Sequence, residues 1–260
     1  MLPHIEILGR AIPMYWLSGV AGLLLAGLLA MWRRRAPRFK APADDVLHTM
    51  LLCVVGAMIG AKALQVIGHV IRGAAQPGFW TLETWAALMS GGGVFYGGLL
   101  GGLAAAFIYI RKYKLDPWDM TDILVPSVLL FHAFGRLGCF FAGCCHGRPA
   151  DWGITFENAL ACCANDLPLI PVQLFEAGFN LFVMTALLVL RPERKHPGIL
   201  LPLYLLAYSI ARFGLEFLRG DAGRGIVLLS TSQWISLALL PAAAVLLWRV
   251  LRRGREKAPS

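Results

Sequence analysis

The residues best suited to chemistry in this chain are arginines set inside apolar sequence. His132-Ala133-Phe134-Gly135-Arg136-Leu137-Gly138-Cys139-Phe140 puts Arg136 between glycines at the end of a hydrophobic run. A guanidinium in that position is costly unless an anion meets it, and Gly135 and Gly138 leave room for a ligand or another helix to come close. A lipid phosphate at a membrane surface satisfies both conditions. Arg212 and Glu216 stand four apart in Arg212-Phe213-Gly214-Leu215-Glu216-Phe217-Leu218-Arg219, so they share a helix face and can pair. A purely structural ion pair is the plainer reading, but intramembrane ions more often mark function. Gln173 and Glu176 open another apolar run in Pro171-Val172-Gln173-Leu174-Phe175-Glu176. Tyr96 lies in a glycine run, Ser90 to Gly102, where its phenol can donate to a phosphate or an ester carbonyl; an interfacial belt tyrosine is the bland alternative. The later glycines of that run read as close helix packing.

Five of the six cysteines, Cys139, Cys144, Cys145, Cys162 and Cys163, fall in one stretch, and Cys53 stands alone in an apolar run as a small core residue. Disulfides in an oxidising compartment are the first reading of the five, free buried thiols the second, and a metal site the third. The adjacent pairs lack C-x-x-C spacing, only His146 is nearby, and an odd count leaves one thiol over.

The elements that must position these groups are membrane spans. Hydrophobic residues make up 58% of the 260, charged residues 15%, and mean hydropathy is +0.65; soluble domains carry about 25% charged residues. Apolar runs near the roughly 20 residues that cross a bilayer predict an all-α polytopic protein with seven spans. They lie at about 13–31, 46–71, 88–110, 120–137, 171–190, 198–217 and 231–251. The fourth is the weakest, holding Asp122, Pro126 and His132, and Lys62 interrupts the second. Basic residues follow spans one, three, five and seven: Arg33, Arg34, Arg35, Arg38 and Lys40; Arg111, Lys112 and Lys114; Arg191, Arg194 and Lys195; and the tail from Arg249 to Lys257. These are 16 of the 24 Lys and Arg. With seven spans they all fall on the cytoplasmic side, which leaves the N-terminus outside, the C-terminus inside and the arginine motif at the outer end of span four. The net charge of +9 is therefore mostly a topology signal, and the aromatic-basic interleaving of a nucleic-acid face is missing. The first apolar run lacks the basic flank of a cleaved signal peptide and reads as a retained span. The whole is read as a single membrane domain, 1–260, with an extracytoplasmic loop region at 138–170.

With these residues in place, the sequence resembles the prolipoprotein diacylglyceryl transferase family over nearly its whole length. The resemblance rests on Gly56-Ala57-Met58-Ile59-Gly60-Ala61-Lys62, the glycines around Tyr96, Asp122 and Pro126, and Gly135-Arg136-Leu137-Gly138-Cys139-Phe140 with Gly147. Pro171-x-Gln173-Leu174-Phe175-Glu176, Arg212-x-x-x-Glu216-Phe217-x-Arg219 and Gln233 complete it. The glycine-arginine-x-glycine element is the family signature. The resemblance implies a seven-span enzyme of the bacterial cytoplasmic (inner) membrane that needs no metal or cofactor. Such an enzyme moves the diacylglyceryl group of phosphatidylglycerol onto the lipobox cysteine of a prolipoprotein, forming a thioether and releasing glycerol phosphate. In those terms Arg136, Arg212, Glu216 and Tyr96 are the catalytic candidates. Arg136, Gly135, Gly138, Cys139, Gly147, Gln173 and Arg219 are the substrate-binding candidates. Enterobacterial members carry histidine where this chain has Tyr96, asparagine at Cys139 and glutamate at Cys144, which leaves the general base open between Glu216 and Tyr96. A lipid transporter or a non-catalytic binder of anionic lipid would use the same arginines without chemistry; seven spans without a detectable repeat argue against the transporter.

Overall fold

The computed structural model describes residues 4–7, 10–73, 79, 81–90, 93–159, 165–220, 225–226 and 228–256. Cys162, Cys163, Gly91 and Gly92 lie outside them. The protein is mostly helical, and its residues form two compact units, 1–40 with 118–260, and 41–117.

The larger unit is built on five long helices: α1 (Met14–Arg33), α5 (Pro117–Ala142), α6 (Val172–Leu190), α7 (Leu200–Glu216) and α8 (Thr231–Glu256). Short two-stranded ribbons trim their ends: β1 (His4–Ile7) with β2 (Arg10–Pro13), β3 (Pro149–Thr155) with β4 (Pro168–Leu169), and β5 (Gly225–Ile226) with β6 (Leu229–Ser230). Polarity is inverted relative to a water-soluble bundle. Leu28 is 67% and Val189 73% exposed, while Asp122 and Asn180 are fully enclosed. Lipid outside and paired polar groups inside account for that arrangement.

One end of this unit is locked by charge. Asp122, near the start of α5, accepts from Arg38 and from the backbone amides of Gly198 and Leu200, at 2.6 and 3.2 Å. Arg33, the last residue of α1, donates to the Asp122 carbonyl at 2.9 Å and to Glu193, just past α6, at 3.2 Å. The C-termini of α1 and α6 and the N-termini of α5 and α7 thus meet at one level. At the other end α8 starts with a capping box, Ser230 Oγ accepting from the Gln233 amide and Gln233 Oε1 from the Ser230 amide.

The smaller unit holds α2 (Ala43–Gly73), α3 (Leu82–Ser90) and α4 (Phe95–Lys112). Here α2 and α4 pack backbone to backbone. A Cβ on Gly60 would collide with the Gly97 carbonyl, and one on Gly56 would lie 2.6 Å from the Gly101 carbonyl. The glycines after Tyr96 therefore serve helix packing. Tyr109 fixes the pair at one end by donating to Asp45 at 2.8 Å.

Among the described residues five helices are long and apolar enough to cross a membrane: those starting at Met14, Ala43, Pro117, Val172 and Thr231. Two boundaries depart from the sequence expectation. The run predicted from 88 is divided, because α3 stops at Ser90 and α4 begins at Phe95 after an extended Val94. The fourth run reaches Ala142, five residues beyond its expected end, so residues 138–142 of the expected loop are helical and Arg136 lies within α5.

Candidate functional site

The site is assembled at the end of the larger unit where α5 and α7 finish and α6 and α8 begin. Its hub is Glu176, one turn into α6 and 1% exposed. One carboxylate oxygen, Oε1, receives three groups from two other helices. Arg136 Nη2 of α5 lies at 3.0 Å, the Tyr208 hydroxyl of α7 donates at 2.8 Å, and His132 Nε2 of α5 lies at 3.4 Å. His132 and Arg136 are four apart, which brings both to one helix face. The other nitrogen of His132 lies 3.5 Å from the Tyr204 hydroxyl. Asn180 Nδ2 donates to the Glu176 carbonyl at 2.8 Å.

The second ion pair stands beside this hub. Arg212 Nη2 pairs with Glu216 Oε2 at 3.0 Å, one turn apart on α7 as their spacing predicts, and donates to Ser232 Oγ at the start of α8 at 3.1 Å. Both Arg136 and Arg212 act electrostatically on Glu176 and on Tyr208. Two guanidiniums therefore share one neighbourhood. Among the described residues nothing accepts a hydrogen bond from Arg212 Nη1, although that nitrogen is buried. An unsatisfied charged donor beside a second guanidinium is a place for an anion with several acceptor oxygens.

The glycines divide by role. A Cβ on Gly135 would meet open space, so the approach beside Arg136 is clear. Gly138 faces α1, where a Cβ would lie 3.2 Å from the Tyr15 ring and 3.3 Å from Ser18. Gly147 sits between backbones, its would-be Cβ 2.7 Å from the Leu218 carbonyl and from Ile170. It bridges to Arg219, and its amide donates to the Ile170 carbonyl at 2.8 Å. Gln173 does not face the arginines; its amide donates to the Cys144 carbonyl at 2.7 Å and pins the turn after α5. The Arg219 guanidinium acts electrostatically on the Cys145 thiol. The neighbouring Cys139 and Cys144 thiols, with this guanidinium, hold the Cys145 thiol below its ordinary range, while the Cys144 thiol itself donates to the Cys139 carbonyl at 3.7 Å. Cys139, Cys144 and Cys145 are free thiols, not disulfides. Tyr96 belongs to the smaller unit, at the start of α4, with its ring edge-on to Phe95 at 5.7 Å.

Residues 4–249 match the family model described as prolipoprotein diacylglyceryl transferase. The chain belongs to the prolipoprotein diacylglyceryl transferase family. It is 32% identical over 234 residues to the phosphatidylglycerol–prolipoprotein diacylglyceryl transferase of Clostridium tetani, covering 89% of this chain and 90% of that one. A second relative, from Clostridium perfringens and named phosphatidylglycerol–prolipoprotein diacylglyceryl transferase 2, is 31% identical over 97% of this chain and 96% of its own length. A third, the Gloeobacter violaceus protein of the first name, is 32% identical over 98% and 95%. In this member of the transferase family, the signature arginine is tied to Glu176, which the sequence analysis noted at the start of an apolar run but gave no role. Tyr208, Tyr204, Ser232 and Asn180 went unassigned as well. A glutamate and an asparagine four apart inside an apolar run were the available signal for an enclosed polar patch.

Proposed function

We propose that this protein transfers the diacylglyceryl group of phosphatidylglycerol to the lipobox cysteine of prolipoproteins, the first step of bacterial lipoprotein maturation. Its relatives carry that activity in their names. The observation that carries the reading is the pair of enclosed guanidiniums, Arg136 and Arg212, one of them with an unsatisfied donor. In the reaction the acceptor thiolate attacks the glyceryl carbon that bears the phosphate. A carbon–sulfur bond forms, the carbon–oxygen bond breaks, and glycerol phosphate leaves with the electron pair. Charge grows on the phosphate as it leaves, and guanidinium forks already in place stabilise that charge without reorganising. Glu176 fixes Arg136, and Glu216 and Ser232 fix Arg212. Glu216 and Tyr96 are the candidates to take the thiol proton. Gly135 leaves the approach to Arg136 open, while Gln173, Gly138 and Gly147, with Arg219 and Cys139, hold the turn after α5 and the helices that carry the arginines.

The membrane arrangement goes with this reading. The chain crosses the cytoplasmic (inner) membrane seven times, by α1, α2 and α4 to α8, with its N-terminus outside and its C-terminus in the cytoplasm. The Arg33–Arg38–Asp122–Glu193 lock then lies on the cytoplasmic side, where basic residues gather. The arginine site lies toward the outer leaflet, where a translocated prolipoprotein arrives.

The test is transfer of labelled diacylglyceryl to a lipobox peptide from vesicles of phosphatidylglycerol or phosphatidylethanolamine. Label reaches the peptide from phosphatidylglycerol alone, because the ammonium of phosphatidylethanolamine opposes two guanidiniums. No transfer from either lipid, or equal rates from both, overturns the assignment.

A further inference from the structure

Of the ionisable groups enclosed around Arg136, His132 is the one that the transfer chemistry leaves without a role. It lies on α5, one turn before Arg136, and is half-buried. Its ring stands beside two tyrosines of α7. Nδ1 is 3.5 Å from the Tyr204 hydroxyl, and the ring centroid is 5.1 Å from that of Tyr208. Nε2 is enclosed, has no hydrogen-bond partner among the described residues, and faces Glu176 Oε1 at 3.4 Å. That separation is beyond the usual range of an N–H···O hydrogen bond, about 2.7–3.2 Å, but within reach of an ion pair. A neutral imidazole gains little from such a contact. An imidazolium gains a direct attraction, which an enclosed site strengthens.

The balance of charge points the same way. Arg136 is paired with Glu176 and Arg212 with Glu216, so each guanidinium already has a carboxylate. Phosphatidylglycerol brings one negative charge, and the glycerol phosphate that leaves carries about −1.5 to −2 near neutral pH. An enclosed anion needs a countercharge. The charged and titratable groups around His132 come from four helices. They are Arg136 on α5 itself, Glu176 on α6, and Tyr204 and Tyr208 on α7, with Arg212 and Glu216 further along it. On α1, which lies against α5 at Gly138, the group is Tyr15. Within this set only the histidine can add a positive charge to those of the two arginines.

We propose that His132 is a positioning residue that works as an imidazolium, pairing with Glu176 so that Arg136 is left to the phosphate of the lipid donor. The inference rests on the transfer reaction proposed above. His132 moves no proton in that reaction, and the thiol proton goes to Glu216 or Tyr96 as before. Its effect is exerted through one oxygen. Glu176 Oε1 is shared by Arg136 at 3.0 Å and His132 at 3.4 Å, so a charge on the imidazole weakens the hold of the carboxylate on the guanidinium. With the proton on, Arg136, His132 and Glu176 together carry one positive charge, which matches the single charge of the donor phosphate. With the proton off, Arg136 and Glu176 cancel, and the phosphate must compete with the carboxylate for the same fork.

The experiment uses the full-length protein in nanodiscs of mixed phosphatidylglycerol and phosphatidylcholine, as wild type, His132→Gln and His132→Lys. Glutamine keeps a donor of similar reach without charge, and lysine keeps a charge. The first readout needs no acceptor peptide: the enrichment of phosphatidylglycerol retained by the protein, followed from about pH 5.5 to about pH 8.5. Enrichment should fall with rising pH in the wild type, be low and flat in His132→Gln, and be flat in His132→Lys. The second readout is transfer to a lipobox peptide. His132→Gln should lower kcat/KM on the order of tenfold at the acid end, and the ratio of wild type to variant should shrink toward one as pH rises. Adding His132→Gln to Glu176→Gln should cost nothing further, because the histidine acts through that carboxylate. A wild-type enrichment that does not change with pH, a ratio that is constant across the range, or full transfer by His132→Gln at every pH each overturns the proposal. If the glutamine variant fails to fold, the wild-type and His132→Lys enrichment profiles still decide it. Enrichment that titrates in a protein that transfers nothing would overturn the transfer assignment and leave the charge on His132 standing, so the two failures are separate results.

Discussion

Replacing Glu176 with glutamine tests whether that residue holds the signature arginine in its working position. The carboxylate is 1% exposed, and one oxygen accepts Arg136 at 3.0 Å and Tyr208 at 2.8 Å. Glutamine keeps the length and one acceptor oxygen but removes the charge. Hydrogen bonds involving a charged group contribute about 1.5–3 kcal/mol, against about 0.5–1.5 kcal/mol for neutral pairs. Across the two short contacts the change amounts to roughly 2–3 kcal/mol, which corresponds to about 30- to 150-fold in rate if it appears wholly in the transition state. We expect Glu176→Gln to lower kcat/KM for transfer from phosphatidylglycerol vesicles to a lipobox peptide by that order. Tyr208→Phe, which removes one donor to the carboxylate and leaves the ion pair with Arg136 in place, should cost less than Glu176→Gln. Membrane level and thermal unfolding in detergent are measured alongside, because an uncompensated buried guanidinium also destabilises. A Glu176→Gln protein at normal level that works within about threefold of wild type would refute the reasoning, and so would a Tyr208→Phe loss larger than that of Glu176→Gln.

Arg136→Lys should abolish most transfer while the protein remains in the membrane, because a point charge cannot replace a fork that meets Glu176 and a phosphate together; near-normal transfer contradicts the phosphate assignment. Arg212→Ala and Glu216→Ala should each be severe, and the double variant should lose little more than the worse single, since the 3.0 Å pair acts as a unit; losses that add in kcat/KM would separate the two. Tyr96→Phe keeps the ring and removes the hydroxyl, so a fall in turnover with unchanged protein level supports a polar role, and unchanged turnover returns Tyr96 to the interfacial belt. Gly147→Ala should lower thermal stability more than it lowers kcat at permissive temperature, because a Cβ there meets the Leu218 carbonyl at 2.7 Å; a variant as stable as wild type speaks against the close backbone approach.

The two kinds of information in this sequence were unequally legible. Helix ends fixed by an uninterrupted apolar run came out well: 171–190 against Val172–Leu190, and 198–217 against Leu200–Glu216. Local spacing also identified the Arg212–Glu216 pair, since four residues on one helix bring two side chains together without help from the rest of the fold. The end of α5 was misjudged, because Gly138 beside Cys139 reads as the start of a loop. In the structure that glycine is what lets α1 lie against α5 at Tyr15 and Ser18, so the helix continues to Ala142. The break before α4 has the opposite cause, since nothing in hydropathy alone says that an apolar run with glycines stops being helical at Ser90.

Partner choice was the part least open to sequence reasoning, and the reason is physical. A charged or polar side chain in an apolar segment finds no water in lipid, so it must meet another such group. Of the buried network, Arg136, Glu176, Arg212 and Glu216 stood out in the sequence, His132 was noted only as weakening the fourth run, and Asn180 and Tyr208 were passed over. Which of them meet is decided by how α5, α6 and α7 pack. The Glu176 oxygen that joins His132, Arg136 and Tyr208 spans separations of 44, 40 and 32 residues, for which the sequence carries no periodic signal. The cysteines follow the same rule on a smaller scale. In Cys139-x-x-x-x-Cys144-Cys145 the spacing alone does not bring Cys139 to the adjacent pair, and only the reversal at Gly143 and Cys145 folds the three into a triangle. Spacing rules identify groups that share one regular element. A cluster made where a helix ends and the chain turns back has to be found from the turn.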